Sequence, residues 1–536
     1  MKRILALMLL FIFTQGYSQV FFSRTYSVPE DGTGIVNTYP NWLSAIFPTD
    51  SLIFAFGYSA DTTYKEIYGT AFYTFNWDGK LLDYYHIKDD SLHNFFFPEG
   101  IHTWDGVTFY TGFNHHNRQE SILKLNRFTR EQTAFEIKNS IYPGGAIVFN
   151  NMSADNSGYL ITASKVETGV PLQWRKVQVT KMDTSGHILW QKIIGKDPIT
   201  EFDNIPFSTL VDKNGFIYIG IGYTSYFGLG APGEYESLLY KLDDDGNTKK
   251  IYNSQRKQGF CFVYDIAKDE KGWLYLSSDY NYNEPQFPYA NRGYGIVQIL
   301  DSSMTFKDYV KLDFRYTGGG AAYLYTFEKI IRTNKNDGVI VGGSIPIKDT
   351  LIQFTDSIQR IDTIIGFHEL LNLVKINDSK QIEWRKIFRI RNGKDDGYLY
   401  DIKSCPTGGY IIAASSYLDD AFEKNGDPYY MSWLLRVDDD GCLIPGCGTV
   451  RNKNLESKQE IVIYPNPASN YIILLHSSSE KTHYQIVSAE GKIIDEFDSY
   501  LSDEQIIIPV YHYNPGSYFV KAESKNGSSS KVFIKQ

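Results

Sequence analysis

Residues able to do chemistry are sparse in this chain, and few fall at the spacing a reaction needs. His368-Glu369-Leu370-Leu371-Asn372 approaches the two-histidine helix of a zinc peptidase, but an amide stands where the second imidazole must ligate. His115-His116 has no carboxylate partner at ligand spacing. Asp243-Asp244-Asp245-Gly246-Asn247 and Asp438-Asp439-Asp440-Gly441 cluster oxygens, yet a calcium loop needs alternate ligands and a bidentate acid further on. Both runs read better as hairpin turns. Neither a G-x-S-x-G elbow nor a phosphate-binding Gly-Lys loop occurs. No catalytic residue, metal ligand or cofactor is therefore assigned, although scattered carboxylates from different repeats leave a hydrolase pair open.

Two other groups have defined chemistry. Cys442 and Cys447 bracket the turn-forming Leu-Ile-Pro-Gly, so a disulfide between them is expected in an oxidising compartment. Zinc fits poorly, with no histidine or second cysteine pair nearby. Cys261 and Cys405 lie in apolar strand-like surroundings and read as buried thiols. Tyr280, Tyr282, Phe287, Tyr289 and Tyr294 are interleaved with Asn281, Asn283 and Asn291. Aromatic faces beside amides suit carbohydrate or peptide recognition, and equally suit packing within one long loop.

The elements that position these residues repeat. One half-unit reads apolar–Lys–apolar–Asp–x–x–Gly and then an apolar strand, as in 179–195, 238–252, 373–388 and, shortened, 434–447, with weaker copies at 72–87, 122–137 and 297–312. The other half-unit precedes each and has a polar, glycine-bearing turn before an apolar strand, as in 154–164, 211–223, 268–278, 334–344 and 405–415. Each unit is thus four short strands with two Asp/Asn–Gly-type hairpins. Seven units at a period of about 60 residues predict an all-β, seven-bladed β-propeller; a β-helix or a string of sandwich domains is the competing arrangement. The seventh unit ends short, while Val20 to Tyr26 is a strand with no unit of its own, so the two are expected to pair and close the ring. In such a ring the short Asp–x–x–Gly turns share one face. The other face gathers the long connections Tyr223–Tyr235, Tyr280–Tyr294, Thr317–Tyr323 and Ser344–Leu370.

Composition narrows the setting. A formal charge of −9 without a basic run argues against nucleic acid and against an anionic membrane surface. Lys2-Arg3, the apolar run Ile4–Phe13 and the small-residue stretch ending at Ser18 form an export signal cleaved before Gln19. Ten apolar residues cannot span a core of about 30 Å, and no other stretch approaches about 18, so the mature chain is expected to have no transmembrane segment.

The units resemble the propeller-like repeats of many exported Bacteroidetes proteins, on the Lys–apolar–Asp–x–x–Gly–x–apolar–x–Trp core with Trp190 and Trp384, and on the ending Gly441–Cys447. After a polar linker at 451–460 the pattern changes. Three motifs follow within 461–536: Tyr464-Pro465-Asn466-Pro467, then Ile486 to Gly491-Lys492, then Gly516-Ser517-Tyr518. Read physically this is a small Ig-like β-sandwich. The three motifs resemble the type A C-terminal sorting domain of the type IX secretion system. That resemblance implies passage across the outer membrane, and the secretion machinery and a sortase-like peptidase as partners.

The expected organisation is a signal peptide at 1–18, a propeller at 19–450, a linker at 451–460 and a sorting domain at 461–536. The expected function is a monomeric secreted or cell-surface propeller that binds a polysaccharide, peptide or protein by its long-loop face. A secreted polysaccharide hydrolase or lyase and a structural surface or adhesion component are the alternatives.

Overall fold

The computed structural model describes residues 22–26, 28–29, 38–39, 41–60, 67–87, 96–114, 120–142, 147–167, 175–195, 202–225, 234–254, 260–282, 292–312, 328–355, 361–390, 397–418, 429–443, 447, 461–476, 481–499 and 504–536. They form a seven-bladed β-propeller followed by a β-sandwich. Six blades are consecutive four-stranded antiparallel meanders whose inner strands are Asn41–Pro48, Phe96–His102, Ile147–Ala154, Phe202–Val211, Phe260–Lys268 and Lys329–Arg332. Blade seven has inner strand Gly397–Ser404, then Tyr410–Leu418 and Tyr429–Val437. Its outer strand is Phe22–Tyr26, antiparallel to Tyr429–Val437 in the register Phe22↔Arg436 to Tyr26↔Ser432. The ring therefore closes with a strand from the opposite end of the chain. Val20 and the export signal lie outside the described residues.

Each pair of neighbouring blades shares an apolar cluster. Leu43, Ile46 and Tyr73 of blade one meet Ile411, Ala413 and Leu434 of blade seven. Corresponding clusters join blades one and two, two and three, and so on to six and seven. A blade is buried on both faces, which is why Ile217-Tyr218-Ile219 shows no polar alternation.

The repeated Asp–x–x–Gly turn does two jobs. Within its hairpin, the Asp243 carboxylate accepts the N–H groups of Asp245 and Asn247 at 3.1 and 2.7 Å. Lys249 stands 2.7 Å from its other oxygen, and Lys249 together with the Asn247 N–H and amide holds the acid down at about 2. Between blades, the glycine receives an aromatic ring from the preceding outer strand. A Cβ on Gly246 would stand 3.0 Å from the Trp190 ring, one on Gly441 2.7 Å from Trp384, and one on Gly186 2.4 Å from Phe135. These glycines also have φ between 71° and 86°, so both the turn and the joint demand the missing side chain. The repeated lysine adds to the joint: Lys181, almost fully buried, lies 2.5 Å from Asp244 of the next blade and 3.6 Å from Asp155.

One expectation changes in detail. Ser344–Leu370 is not a loop. Strands Gly338–Thr355 and Ile361–Asn377 pair continuously from Gly338↔Asn377 to Thr355↔Ile361, with one irregularity between Lys348 and Thr350. The β-prone runs Leu351-Ile352 and Ile364-Ile365 extend the blade-six hairpin instead. His368 to Asn372 consequently lies in a strand, where residues four apart are not stacked as on a helix turn.

The sandwich has a three-stranded sheet (Val462–Tyr464, Tyr471–His476, Glu504–Pro509) and a four-stranded one (Thr482–Ser488, Ile493–Ser499, Gly516–Ser524, Gly527–Lys535). Ile472, Leu474, Tyr484, Ile506, Val520 and Phe533 fill the space between them.

Deleting residues 19–26 should open blade seven. Five register pairs, with about one hydrogen bond each at about 0.5–1.5 kcal/mol, imply a loss of about 2.5–7.5 kcal/mol in denaturant unfolding. The bared edge should appear as concentration-dependent association in light scattering. A second outcome concerns Glu120, fully buried between blades two and three. The hydroxyls of Thr162 and Ser164 lie beside it without reaching hydrogen-bond geometry and only partly offset the burial, which pushes its carboxyl up to about 7. The folded value exceeds the ordinary 4.5, so the folded state holds the extra proton and stability falls as pH rises from about 4.5 to about 7. Glu120→Gln should flatten that slope, worth on the order of 3 kcal/mol, in chemical unfolding across this pH range.

Candidate functional site

The inner strands of all seven blades enclose a central cavity of about 770 Å³. Its lining is set by a repeated irregularity. Pairing with the second strand slips between Leu43 and Ala45, Pro206 and Ser208, Val263 and Asp265, and Leu399 and Asp401. Each slip leaves one residue unpaired, and a bulge re-aims its side chain. The four residues are Ser44, Phe207, Tyr264 and Tyr400, and all line the cavity. Phe47, His102, Glu328, Lys329 and Lys403 complete a wall that mixes aromatic faces with charge.

The residue after the bulge ties the ring together. Asp401 Oδ2 accepts the Ile46 N–H of blade one at 3.0 Å, and its Oδ1 accepts the Ile402 N–H at 2.9 Å and faces Lys403 Nζ at 3.0 Å. Asp265 Oδ2 accepts the Ile330 N–H of blade six at 2.9 Å. Asn151 donates to the Phe207 carbonyl of blade four at 3.3 Å. Burial raises the Asp265 carboxyl above its usual range, against the pull of Lys329, the Ile330 and Ile266 amides and Lys403. Two carboxylates thus face the cavity while their oxygens hold backbone amides.

His102 differs. Burial lowers its imidazole to about 4 despite the nearby Asp155, so it is neutral at pH 7. Its ring meets Trp104 and Phe47 edge-on, at 4.4 and 5.9 Å between centroids. Its Nε2 is buried without a hydrogen-bond partner among the described residues.

The aromatic residues singled out from sequence stand elsewhere. Tyr280 and Tyr282 end the second strand of blade five and Tyr294 lies in its third. Tyr280 faces Tyr294 in register, and Tyr282 faces Arg292. Their backbone occupies the hairpin end remote from the short turns; Phe287 and Tyr289 lie outside the described residues, as do His115 and His116. The cavity aromatics had a signal of their own: Val263-Tyr264-Asp265-Ile266 and Leu399-Tyr400-Asp401-Ile402 are the same four-residue pattern in blades five and seven.

Cys442 and Cys447 are disulfide-bonded, with Cα atoms 5.9 Å apart. Cys405 is buried and its thiol is pushed up to about 12, while Cys261 lies in the inner strand of blade five. In the sandwich, the motif residues fix strand ends. Asn466, between Pro465 and Pro467, donates to the Val532 carbonyl and accepts the Ile534 N–H, clamping the last strand. Gly491, at φ 84°, turns the hairpin that leads through Lys492 into Ile493–Ser499. Gly516 opens Gly516–Ser524, where Tyr518 donates to the Asn514 carbonyl at 2.9 Å. Tyr464 ends the first strand, partly exposed.

Asp401→Ala should strand two amide donors between blades one and seven. The expected loss is on the order of 2–3 kcal/mol in denaturant unfolding, with Asp401→Asn, which keeps one acceptor, losing less.

No curated protein matches the sequence. Among solved structures, the chain is similar to a protein of unknown function from Dyadobacter fermentans (10% identity, TM-score 0.40, covering 77% of this chain and 98% of that one). It is also similar to a protein of unknown function from Bacteroides caccae (12%, TM-score 0.32, 60% and 87%) and to the periplasmic gluconolactonase of Pseudomonas aeruginosa (10%, TM-score 0.37, 75% and 98%). Residues 462–536 match the family described as the secretion system C-terminal sorting domain. With that segment folded as a complete sandwich behind the propeller, the chain is a secreted or outer-membrane-surface protein that carries a type IX sorting domain at its C-terminus.

Proposed function

We propose that the propeller binds an extracellular ligand, a polysaccharide, peptide or protein, through its central cavity and the adjoining long-connection face, after cleavage of the export signal at 1–18 in a bacterium of the Bacteroidetes. The observation that carries this reading is the cavity wall. Bulges aim Phe207, Tyr264 and Tyr400 inward beside Lys403 and Lys329, and about 770 Å³ suits a ligand of a few sugar or amino-acid residues. Aromatic faces supply contact area, and the charged and amide groups fix orientation. Tyr280, Tyr282, Phe287, Tyr289 and Tyr294 extend the same surface in this reading. The secretion machinery and a sortase-like peptidase that removes the tail are the partners during export.

A hydrolase or lyase is the second reading, favoured by Asp265, whose carboxyl is raised while lining the cavity. A structural surface role is the third.

The mature protein should bind a subset of a glycan and peptide array without consuming it, and Tyr264→Ala with Tyr400→Ala should weaken binding at least about tenfold. Turnover of a bound sugar, lost in Asp265→Asn, would replace binding with catalysis. Silence on both screens would leave the structural role.

A further inference from the structure

The two sheets of the sandwich are unlike. In Gly516–Ser524 buried and exposed residues alternate, as expected of a sheet wet on one face. In Tyr471–His476 and Glu504–Pro509 the apolar residues are buried on both sides. Ile472, Leu474, Ile506 and Ile508 point into the sandwich's own core. The residues between them, Ile473, Leu475 and Ile507, belong instead to the cluster of blades six and seven, with Trp384, Phe388 and Leu443. A sandwich merely tethered by a linker would leave that second apolar row in water.

The backbone joins as well. Glu504 to Ile507 run parallel to Ile387–Ile390, the end of the outer strand Ile382–Ile390 of blade six, and continue its sheet. Gln505, fully buried, grips the disulfide loop: its Oε1 accepts the Leu443 N–H at 2.8 Å and its Nε2 donates to the Gly441 carbonyl at 2.9 Å. Arg389 of blade six stands 3.6 Å from the Glu504 carboxylate and donates to the Asp498 carbonyl at 3.3 Å.

We propose that the sorting domain is a non-covalent ligand of its own propeller, seated on the outer edge of blade six and the Cys442–Cys447 loop of blade seven, so that cutting the linker does not by itself free it. Added strand pairing gives the contact its strength and the Gln505 grip its register. Release then requires something that competes for the Ile473–Leu475–Ile507 row. This inference is independent of what the cavity binds.

The test is the full chain with a specific protease site placed in 451–460. After cutting, the two pieces should co-elute from a sizing column at about 10 μM and separate only on dilution or competition. Ile507→Asp puts a charge on the docking row and leaves the sandwich's own core intact, so its cut pieces should elute apart. Arg389→Glu, which sets a second carboxylate beside Glu504 without altering the sandwich, should do the same, and guards against a variant tail that fails to fold. Gln505→Ala should weaken the complex about tenfold or more, since it leaves two buried backbone groups unsatisfied. Separation of the cut wild-type pieces at about 10 μM would overturn the proposal, as would co-elution of both charged variants. Unchanged affinity in Gln505→Ala would overturn the grip on the disulfide loop.

Discussion

Three joints of the ring rest on an aromatic side chain laid over a glycine, while the corresponding turns of blades two, five and six put Arg130, Met304 and Lys380 at positive φ. Each such joint needs a turn with positive φ, which glycine alone adopts cheaply, and a site with no Cβ, which only glycine supplies. Trp190 on Gly246 and Trp384 on Gly441 are two instances, and Phe135 on Gly186 a third. The same turn carries the aspartate that accepts its own hairpin's amides, so one short motif fixes strand pairing within a blade and spacing between blades. Trp190 shows the coupling directly: its indole N–H donates to the Asp244 carbonyl inside the turn it covers, at 2.9 Å. The apolar clusters between blades then need only fill the remaining volume. Hydrophobic burial stabilises the ring, and the joints select its geometry.

A closed set of blades solves the edge problem only in part, because every blade still ends in an outer strand. Most outer strands here are short and carry charge, as in Thr248–Asn253 with Lys249 and Lys250. Two blades differ. Blade seven has no outer strand of its own after Asp438–Gly441, since the chain turns into the disulfide loop, and Phe22–Tyr26 supplies one. Blade six has a nine-residue outer strand, Ile382–Ile390, with the largely apolar end Ile387–Ile390, and the sandwich covers it. Both terminal regions of the described chain thus meet at the same pair of blades.

The blade count, the hairpin turns, the ring-closing strand and the sorting segment were legible in the sequence because each has local chemistry: Asp–x–x–Gly for the turns, an orphan apolar strand for the closure, three spaced motifs for the tail. The cavity was less legible. A bulge is a slip of one residue in pairing, and Tyr264 or Tyr400 looks in sequence like any strand tyrosine until its neighbour Asp265 or Asp401 is known to reach the next blade. The long segment Ser344–Leu370 was misread as a loop because its turn residues are few, yet Leu351-Ile352 and Ile364-Ile365 are strand formers by type.

Contrast between neighbouring strands carries information that the pattern within one strand lacks. Tyr471–His476 and Glu504–Pro509 carry Ile-Ile-Leu-Leu and Ile-Ile-Ile, buried on both sides, against the alternating burial of Tyr518-Phe519-Val520-Lys521 in the facing sheet, where Phe519 is exposed. In an isolated sandwich both sheets have one wet face, and both should alternate. A sheet whose burial does not alternate is covered twice. The second cover is here the edge of blade six, and the buried Gln505 amide, matched to one N–H and one carbonyl of the disulfide loop, fixes which part of the propeller it is. The apolar row stabilises the contact without direction, whereas the amide and the parallel strand give it an orientation. A segment that addresses the chain for export is by this geometry also the last layer of its fold.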